Sequence, residues 1–291
     1  MRADPSRIIR RRVNIDFAAA DAGAWSHRNT GFEDALNALS FAFPAGEAYF
    51  INSVRYYVNR IKDPVLKEQA ERFIYQEAMH SREHDRANHE LRQFHAYGHQ
   101  IERLVMPMLA FSRRCMPKAT QLATTCALEH FTAMLADCLL RDQQRFIADS
   151  APSFVALWLW HAVEETEHKA VCFDVYRHVC GKGAFSYLHR VIVMGAVSVL
   201  FLGVLGVTFM RMKWSRSSKP ERRGGERAPT ARQPGTPTLA YLLHDVPLRM
   251  YFDYYRPSFH PWRHDNAHLV DEWKVHFREF GLERDEIRTN R

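Results

Sequence analysis

The chain has 291 residues, 46% of them hydrophobic, which suits one large domain, or a domain with an extension, and a full core. Its formal net charge is +7, but the excess sits at Arg7, Arg10, Arg11 and Arg12 and in the run from Arg211 to Arg232. Those charges are not interleaved with aromatics, so no nucleic-acid partner is expected, and a membrane surface or solubility explains them better.

The five cysteines, Cys115, Cys126, Cys138, Cys172 and Cys180, form no CxxC and read as reduced thiols of a cytosolic protein. The N-terminus lacks the apolar stretch of a secretory signal. In chain order, residues 33–62 form a first helix rich in Ala, Leu and Phe. Asp63-Pro64 then supplies an N-cap and a proline at the first helical position, starting a second helix to about Tyr97, before Gly98. A short apolar piece, Leu104–Phe111, follows. Pro117 opens a third helix to about Asp149, and Pro152 a fourth that ends near Gly181 and Gly183. With no convincing strand alternation, the pattern predicts an all-α fold, an up-and-down four-helix bundle with a short helix in its second connection.

Residues 191–210, VIVMGAVSVLFLGVLGVTFM, are twenty uncharged positions, long enough for a bilayer core. Basic residues crowd the C-terminal flank, which by the positive-inside rule is cytoplasmic. The preceding residues carry no export signal, so insertion without a clean crossing is favoured over a true span or a buried fifth helix. Residues 214–236 read as a disordered Gly/Pro/Arg linker. The tail then regains structure, with the aromatic stretch 251–266 as a loop packed against the bundle or lying at the membrane interface, and a charged amphipathic segment after it. The expected organisation is therefore a bundle over 1–186, an apolar membrane-associating helix over 187–213, the linker, and a helical and aromatic extension over 237–291.

The chemistry begins in HAVEETEHKAV, residues 161–171. A helix turns about 100° per residue, so His161, Glu165 and His168 share one face while Glu164 and Glu167 point elsewhere. The second helix carries QEAMHSREH, where Glu77 and His80 form an ExxH pair. The first helix contributes Glu47 and the third Glu129, each a lone acid among apolar neighbours. One Glu from each of two helices and an ExxH from each of the other two is the ligand arithmetic of a ferritin-like dimetal bundle. Two divalent cations would balance the four carboxylates and lower the cost of burying either set. His161, one turn before Glu165, is expected as a further nitrogen ligand, giving Glu47, Glu77, His80, Glu129, His161, Glu165 and His168 as both metal-binding and catalytic residues. His84 is expected to orient a ligand, direct ligation being the alternative. Glu83, Glu164 and Glu167 are expected to be solvated or to stand behind the ligands.

At GEAYF, EAMHSREH, ALEHFTA, HAVEETEHKAVCFDVY and RPSFHPW the chain resembles the bacterial predicted metal-dependent hydrolases of the ferritin-like superfamily. Its ligand pattern is also similar to that of di-iron N-oxygenases. The first expectation is a non-haem oxidase or oxygenase using two iron ions, with Mn or Zn as alternatives, to activate O₂ on a lipophilic substrate. It would need an electron donor such as a ferredoxin or reductase. The alternatives are a hydrolase working through a metal-bridged water and a non-catalytic, membrane-associated metal-binding protein. The expected location is the cytoplasm at the inner membrane, and a homodimer is allowed.

Overall fold

The computed structural model describes residues 8–17, 19–26, 30–218, 248–277, 280 and 282. Among the described residues no strand forms, and Ser26 and Ser150 make an isolated antiparallel bridge. The helices are α1 (Ala19–Ala22), α2 (Thr30–Val58), α3 (Pro64–Leu91), α4 (Gly98–Cys115), α5 (Lys118–Arg141), α6 (Gln143–Asp149), α7 (Pro152–His168), α8 (Val171–Cys180), α9 (Ala184–Ser218), α10 (Leu248–Asp253) and α11 (Ala267–Lys274). The four-helix bundle is α2, α3, α5 and α7, the last continued by α8.

Local chemistry explains most boundaries. Asp63 caps α3 by accepting from Val65 N at 2.9 Å and Leu66 N at 3.4 Å, with Pro64 at the first helical position. Gly181, at φ 85°, takes the left-handed conformation that ends α8. Pro44 lies inside α2 and has no N–H for the carbonyl of Ser40. Asn88 of α3 replaces that donor, its Nδ2 standing 2.8 Å from Ser40 O. The helix therefore passes through its proline without a buried orphan acceptor just before Glu47.

The boundaries differ from expectation along the bundle, beginning with a first helix over Thr30–Val58 where 33–62 was expected. The second helix stops at Leu91, and Gly98 begins α4 instead of ending α3. A Cβ at Gly98 would lie 2.5 Å from the Phe41 ring, so glycine is what lets α4 start against α2. Leu104–Phe111 is only the middle of that 18-residue helix. The third helix breaks at Asp142, and the fourth breaks at Lys169 and Ala170, directly after His168. At that break the Lys169 ammonium donates to His264 O and Asn266 Oδ1, both at 2.6 Å, and sits 4.1 Å from the centroid of the Trp262 ring. The aromatic tail is thereby pinned to the bundle, though it is not loop throughout: Leu248–Asp253 is helical and Pro261–Arg263 forms a 3-10 turn.

Two apolar clusters divide the bundle lengthwise. One gathers Trp25, Phe41, Leu91, Phe154, Trp158 and Trp273; the other gathers Tyr49, Phe73, Ala127, Val175, Tyr254 and Phe259. On α2, α3 and α5 the acids lie at the seam between them. The apolar helix α9 is neither wholly buried nor free: one face packs along α5 and the other is exposed. It is long and apolar enough to cross a membrane. Residues 214–218, expected in a linker, continue α9; residues 219–236 lie outside the described residues, as does much of the extension expected over 237–291.

Candidate metal centre

Each bundle helix presents its acid inward at this seam. Glu47 comes from α2, Glu77 and His80 from α3, Glu129 from α5, and His161, Glu165 and His168 from α7; all seven are buried. Their donor atoms form overlapping groups within 4.8 Å: Glu77, Glu129, Glu165 and His168; His80, His161 and Glu165; and Glu47, Glu77 and His80. Glu77 and Glu165 each belong to two groups. His168 Nε2 stands 3.2 Å from Glu77 Oε1, 3.6 Å from Glu165 Oε1 and 3.7 Å from Glu129 Oε2. His80 Nδ1 stands 3.6 Å from Glu77 Oε1 and 3.9 Å from Glu165 Oε1. The structure thus brings together every residue that the sequence placed at the centre.

The fit to metal can be tested on the donors themselves. Both oxygens of Glu47, Glu77 and Glu129, Nδ1 of His80 and Nε2 of His168 are buried without a hydrogen-bond partner. Unpaired buried polar atoms are rare and costly, so this concentration at one point calls for cations between them. Titration behaviour agrees. Burial pushes the Glu47 and Glu129 carboxyls well above the usual range, with neighbouring acids adding to it. Burial opposes charge on His80 and His168 too, yet the acids beside them prevail. His80 is raised to about 10 by Glu164 and Glu77, and His168 well above its ordinary value by Glu165 and Glu77. Glu165 is held well below the usual range, His168 and His161 overcoming the effect of its burial. The raised proton affinity of two carboxyls and two imidazoles marks a place that favours added positive charge.

Behind the donors lies a ring of hydrogen bonds that sequence reasoning missed. His80 Nε2 is 3.1 Å from Glu164 Oε2, and Glu164 Oε1 accepts from Arg11 Nη1 at 2.9 Å. Arg11 also donates to both oxygens of Glu167, at 2.6 and 2.8 Å. Gln76 Nε2 donates to Glu167 Oε2 at 3.0 Å, and Gln76 Oε1 is 2.9 Å from His168 Nδ1. One arginine therefore connects the outer nitrogens of both ExxH histidines and leaves Nδ1 of His80 and Nε2 of His168 for the centre. Glu164 and Glu167 are buried parts of this ring and are not solvated, the first of their two expected settings. Glu83 is buried as well, accepting from Arg82 and Arg86 at 2.7 Å and from Ile15 N at 3.2 Å. It pins the N-terminal segment across α3.

His161 and His84 form a second line. His161 Nε2 is 3.0 Å from Glu165 Oε1, its Nδ1 is 2.7 Å from His84 Nε2, and His84 Nδ1 is 2.8 Å from Ser40 Oγ. Both ring nitrogens of His84 thus have hydrogen-bond partners, and it also forms a group with Glu47 and His161 whose donor atoms lie within 4.8 Å of one another. Burial lowers the pKa of both rings and keeps them neutral. A small cavity of about 10 Å³, room for roughly one water, borders Glu129 and is closed by Lys169, Met250, Tyr254 and His264.

Fold and centre together define a helical bundle whose buried carboxylates and histidines are suited to two metal ions. The chain belongs to the family described as predicted metal-dependent hydrolase, whose profile matches residues 9–265. Searches of curated proteins and of solved structures found no match. The family corrects the first functional expectation: it supports the hydrolase alternative over an O₂-activating oxidase or oxygenase. The oxygenase reading rested on the ligand pattern alone, and the same donors serve Lewis-acid chemistry equally well.

Proposed function

We propose that the protein is a dimetal hydrolase whose two divalent cations are held by Glu47, Glu77, His80, Glu129, His161, Glu165 and His168. What carries the reading is the group of buried donor atoms with no hydrogen-bond partners, in a chain of this family. In this assignment Glu129 and His168 would serve one ion and Glu47, His80 and His161 the other, with Glu77 and Glu165 within 4.8 Å of donors from both sets. Carboxylates and imidazoles without a thiolate suit iron, manganese or zinc.

When bound, the cations would lower the pKa of a water and polarise the scissile bond of an ester, amide or phosphate. The chain's own residues supply the rest. Glu47 has two buried oxygens free of hydrogen bonds, so both are available to a cation. His84 holds His161 in one orientation, and the Arg11 ring does the same for His80 and His168. Phe43, Phe73, Trp158 and Trp160 pack edge-on or tilted against the four histidine rings and keep bulk water out. The substrate is proposed to be small and lipophilic, and the site of action the cytoplasmic face of a membrane.

The test is metal analysis of protein purified without added metal, followed by ester, amide and phosphate hydrolysis before and after chelation. Two ions per chain and O₂-independent cleavage lost on chelation are expected. Glu129→Ala or His168→Ala should each lose about one ion per chain. Full metal content in both variants would sink the ligand assignment, and metal-loaded protein inactive on all three substrate classes would sink the hydrolase.

A further inference from the structure

Helix α9 has an outer face with no polar anchor. It runs parallel to α5. Thr120 Oγ1 lies 3.1 Å from His189 Nε2, and further along Phe131 stacks on Phe201 with ring centroids 4.9 Å apart. Ser186, Arg190, Val193, Met194, Val197 and Ser198 make the buried face. On the opposite face Phe185 is 86% exposed, Ile192 61%, Val199 72% and Met210 74%. At 1.5 Å per residue this stripe is ~38 Å long. It widens onto α10, where Tyr251 donates to Ser198 Oγ at 2.9 Å and Leu248 and Phe252 stand exposed. Contiguous exposed apolar surface of this extent marks an interaction site.

The surrounding charge is one-sided. Helices α4 and α9 with the first half of α5, residues 118–128, contain eight Lys or Arg, of which Arg190 is buried, and one acid, Glu102. That acid is already engaged by Arg92 and by His99. Arg113, Arg114 and Lys118 are exposed, and Thr120 brings the start of α5 against the start of α9. An apolar stripe with a cationic end matches a bilayer bearing anionic headgroups. A two-fold copy of the same face would add like charge to like. A crossing helix would have to leave α5 and expose Arg190, which is enclosed by the rings of Phe173, Tyr187, Tyr254 and Phe259 and donates to Tyr254 O.

We propose that α9 and α10 form an in-plane docking surface for an anionic lipid bilayer, the apolar stripe sunk among the acyl chains and Arg113, Arg114 and Lys118 at the phosphates. The cavity bordering Glu129 is closed by Met250 of α10 and by Tyr254 just after it. The docked helix is thus also the one that covers the metal centre. Resting on the hydrolase reading, this assigns the substrate to the esters of amphiphiles dissolved in that bilayer.

The experiment is flotation of the full metal-loaded chain with vesicles of phosphatidylcholine alone or mixed equally with phosphatidylglycerol. Binding to the mixed vesicles that weakens with salt is expected. Arg113→Gln with Arg114→Gln should weaken it roughly thirtyfold, about a factor of five per basic residue. Val199→Glu with Leu202→Glu should abolish it while metal content and melting stay unchanged. Binding insensitive to both variants and to lipid charge would overturn the proposal. So would retention after alkaline extraction, which assigns a span, or a dimer dissolved by Val199→Glu with Leu202→Glu and no flotation, which assigns a second copy. Loss of cleavage of a vesicle-borne ester in these variants, with a water-soluble ester still cleaved, supports the substrate class. Equal cleavage of both esters overturns it. No cleavage of either ester by the wild-type chain removes the hydrolase, while flotation still decides the docking.

Discussion

Arg11 offers the sharpest test of how the centre is held. Replacing it by Gln removes the guanidinium that donates to Glu164 at 2.9 Å and to Glu167 at 2.6 and 2.8 Å. All three side chains are buried, so two carboxylates lose their partner in a low-dielectric interior. Breaking one side of such a buried pair costs about 3–5 kcal/mol. Lys274, 3.1 Å from Glu167, compensates that carboxylate in part and leaves Glu164 as the greater loss. A second effect acts on the metal. Glu164 orients His80, and Glu167 through Gln76 orients His168, and loss of such support costs about 10–100-fold in metal affinity. Denaturant unfolding of metal-loaded and metal-free protein, with a chelator competition for affinity, separates the two effects. Arg11→Lys should recover part of the stability but less of the affinity, because an ammonium cannot reproduce the fork that spans both acids. Equal destabilisation of both forms with unchanged affinity would show that Arg11 only packs the N-terminus, and the ring would have no role in positioning the histidines.

Metal loading near pH 7 should release protons, because Glu47, Glu129, His80 and His168 hold theirs more tightly than free side chains do; an indicator in weak buffer measures it. Release of none would mean that these groups do not share the centre with the ions. Gly98→Ala should cost about 1–3 kcal/mol in unfolding free energy, because its Cβ would stand 2.5 Å from the Phe41 ring at the α2–α4 contact; a neutral substitution would show that α4 can slide away. Trp273→Ala, which empties a fully buried site under the tail, should cost about 3–5 kcal/mol and lower the first thermal transition. If melting were unchanged, α11 would not belong to the cooperative core.

Most of the centre was legible because its signal is local. Glu77 and His80, and His161, Glu165 and His168, declare a common face through helical spacing alone. Glu47 and Glu129 declare themselves as acids in apolar surroundings. The ring behind them was not legible, for a physical reason. Arg11 reaches Glu164 across 153 positions from a segment with no helical or strand period, and no local pattern encodes such a contact. Gln76 adjoins Glu77 and looks like an ordinary surface residue of a polar helix. A hint did exist: Gln76, Glu83 and Asn88 cannot all be solvated if Glu77, His80 and His84 face inward, because together they occupy too much of the helix circumference. The break after His168 carries no glycine or proline; it follows from the tail contacts of Lys169, which are as distant in sequence as Arg11.

The two layers of the centre divide the charge between them. Six acids are buried here: Glu47, Glu77, Glu129 and Glu165 inside, Glu164 and Glu167 behind. Two divalent ions would neutralise the inner four; Arg11 and Lys274, held on the outer two, neutralise the rest. The inner charge is the exchangeable part, since burial and the neighbouring acids raise the proton affinity of Glu47 and Glu129. The outer charge is fixed by the guanidinium, and burial notwithstanding, His80 and Arg11 keep Glu164 below the usual carboxylate range. An ionised Glu164 accepts from His80 whether or not metal is bound, so the imidazole stays aimed at the centre in both states. Losing the ions therefore need not scramble the ligands. The N-terminal segment that carries Arg11 and the C-terminal helix that carries Lys274 become parts of the metal site although neither supplies a ligand.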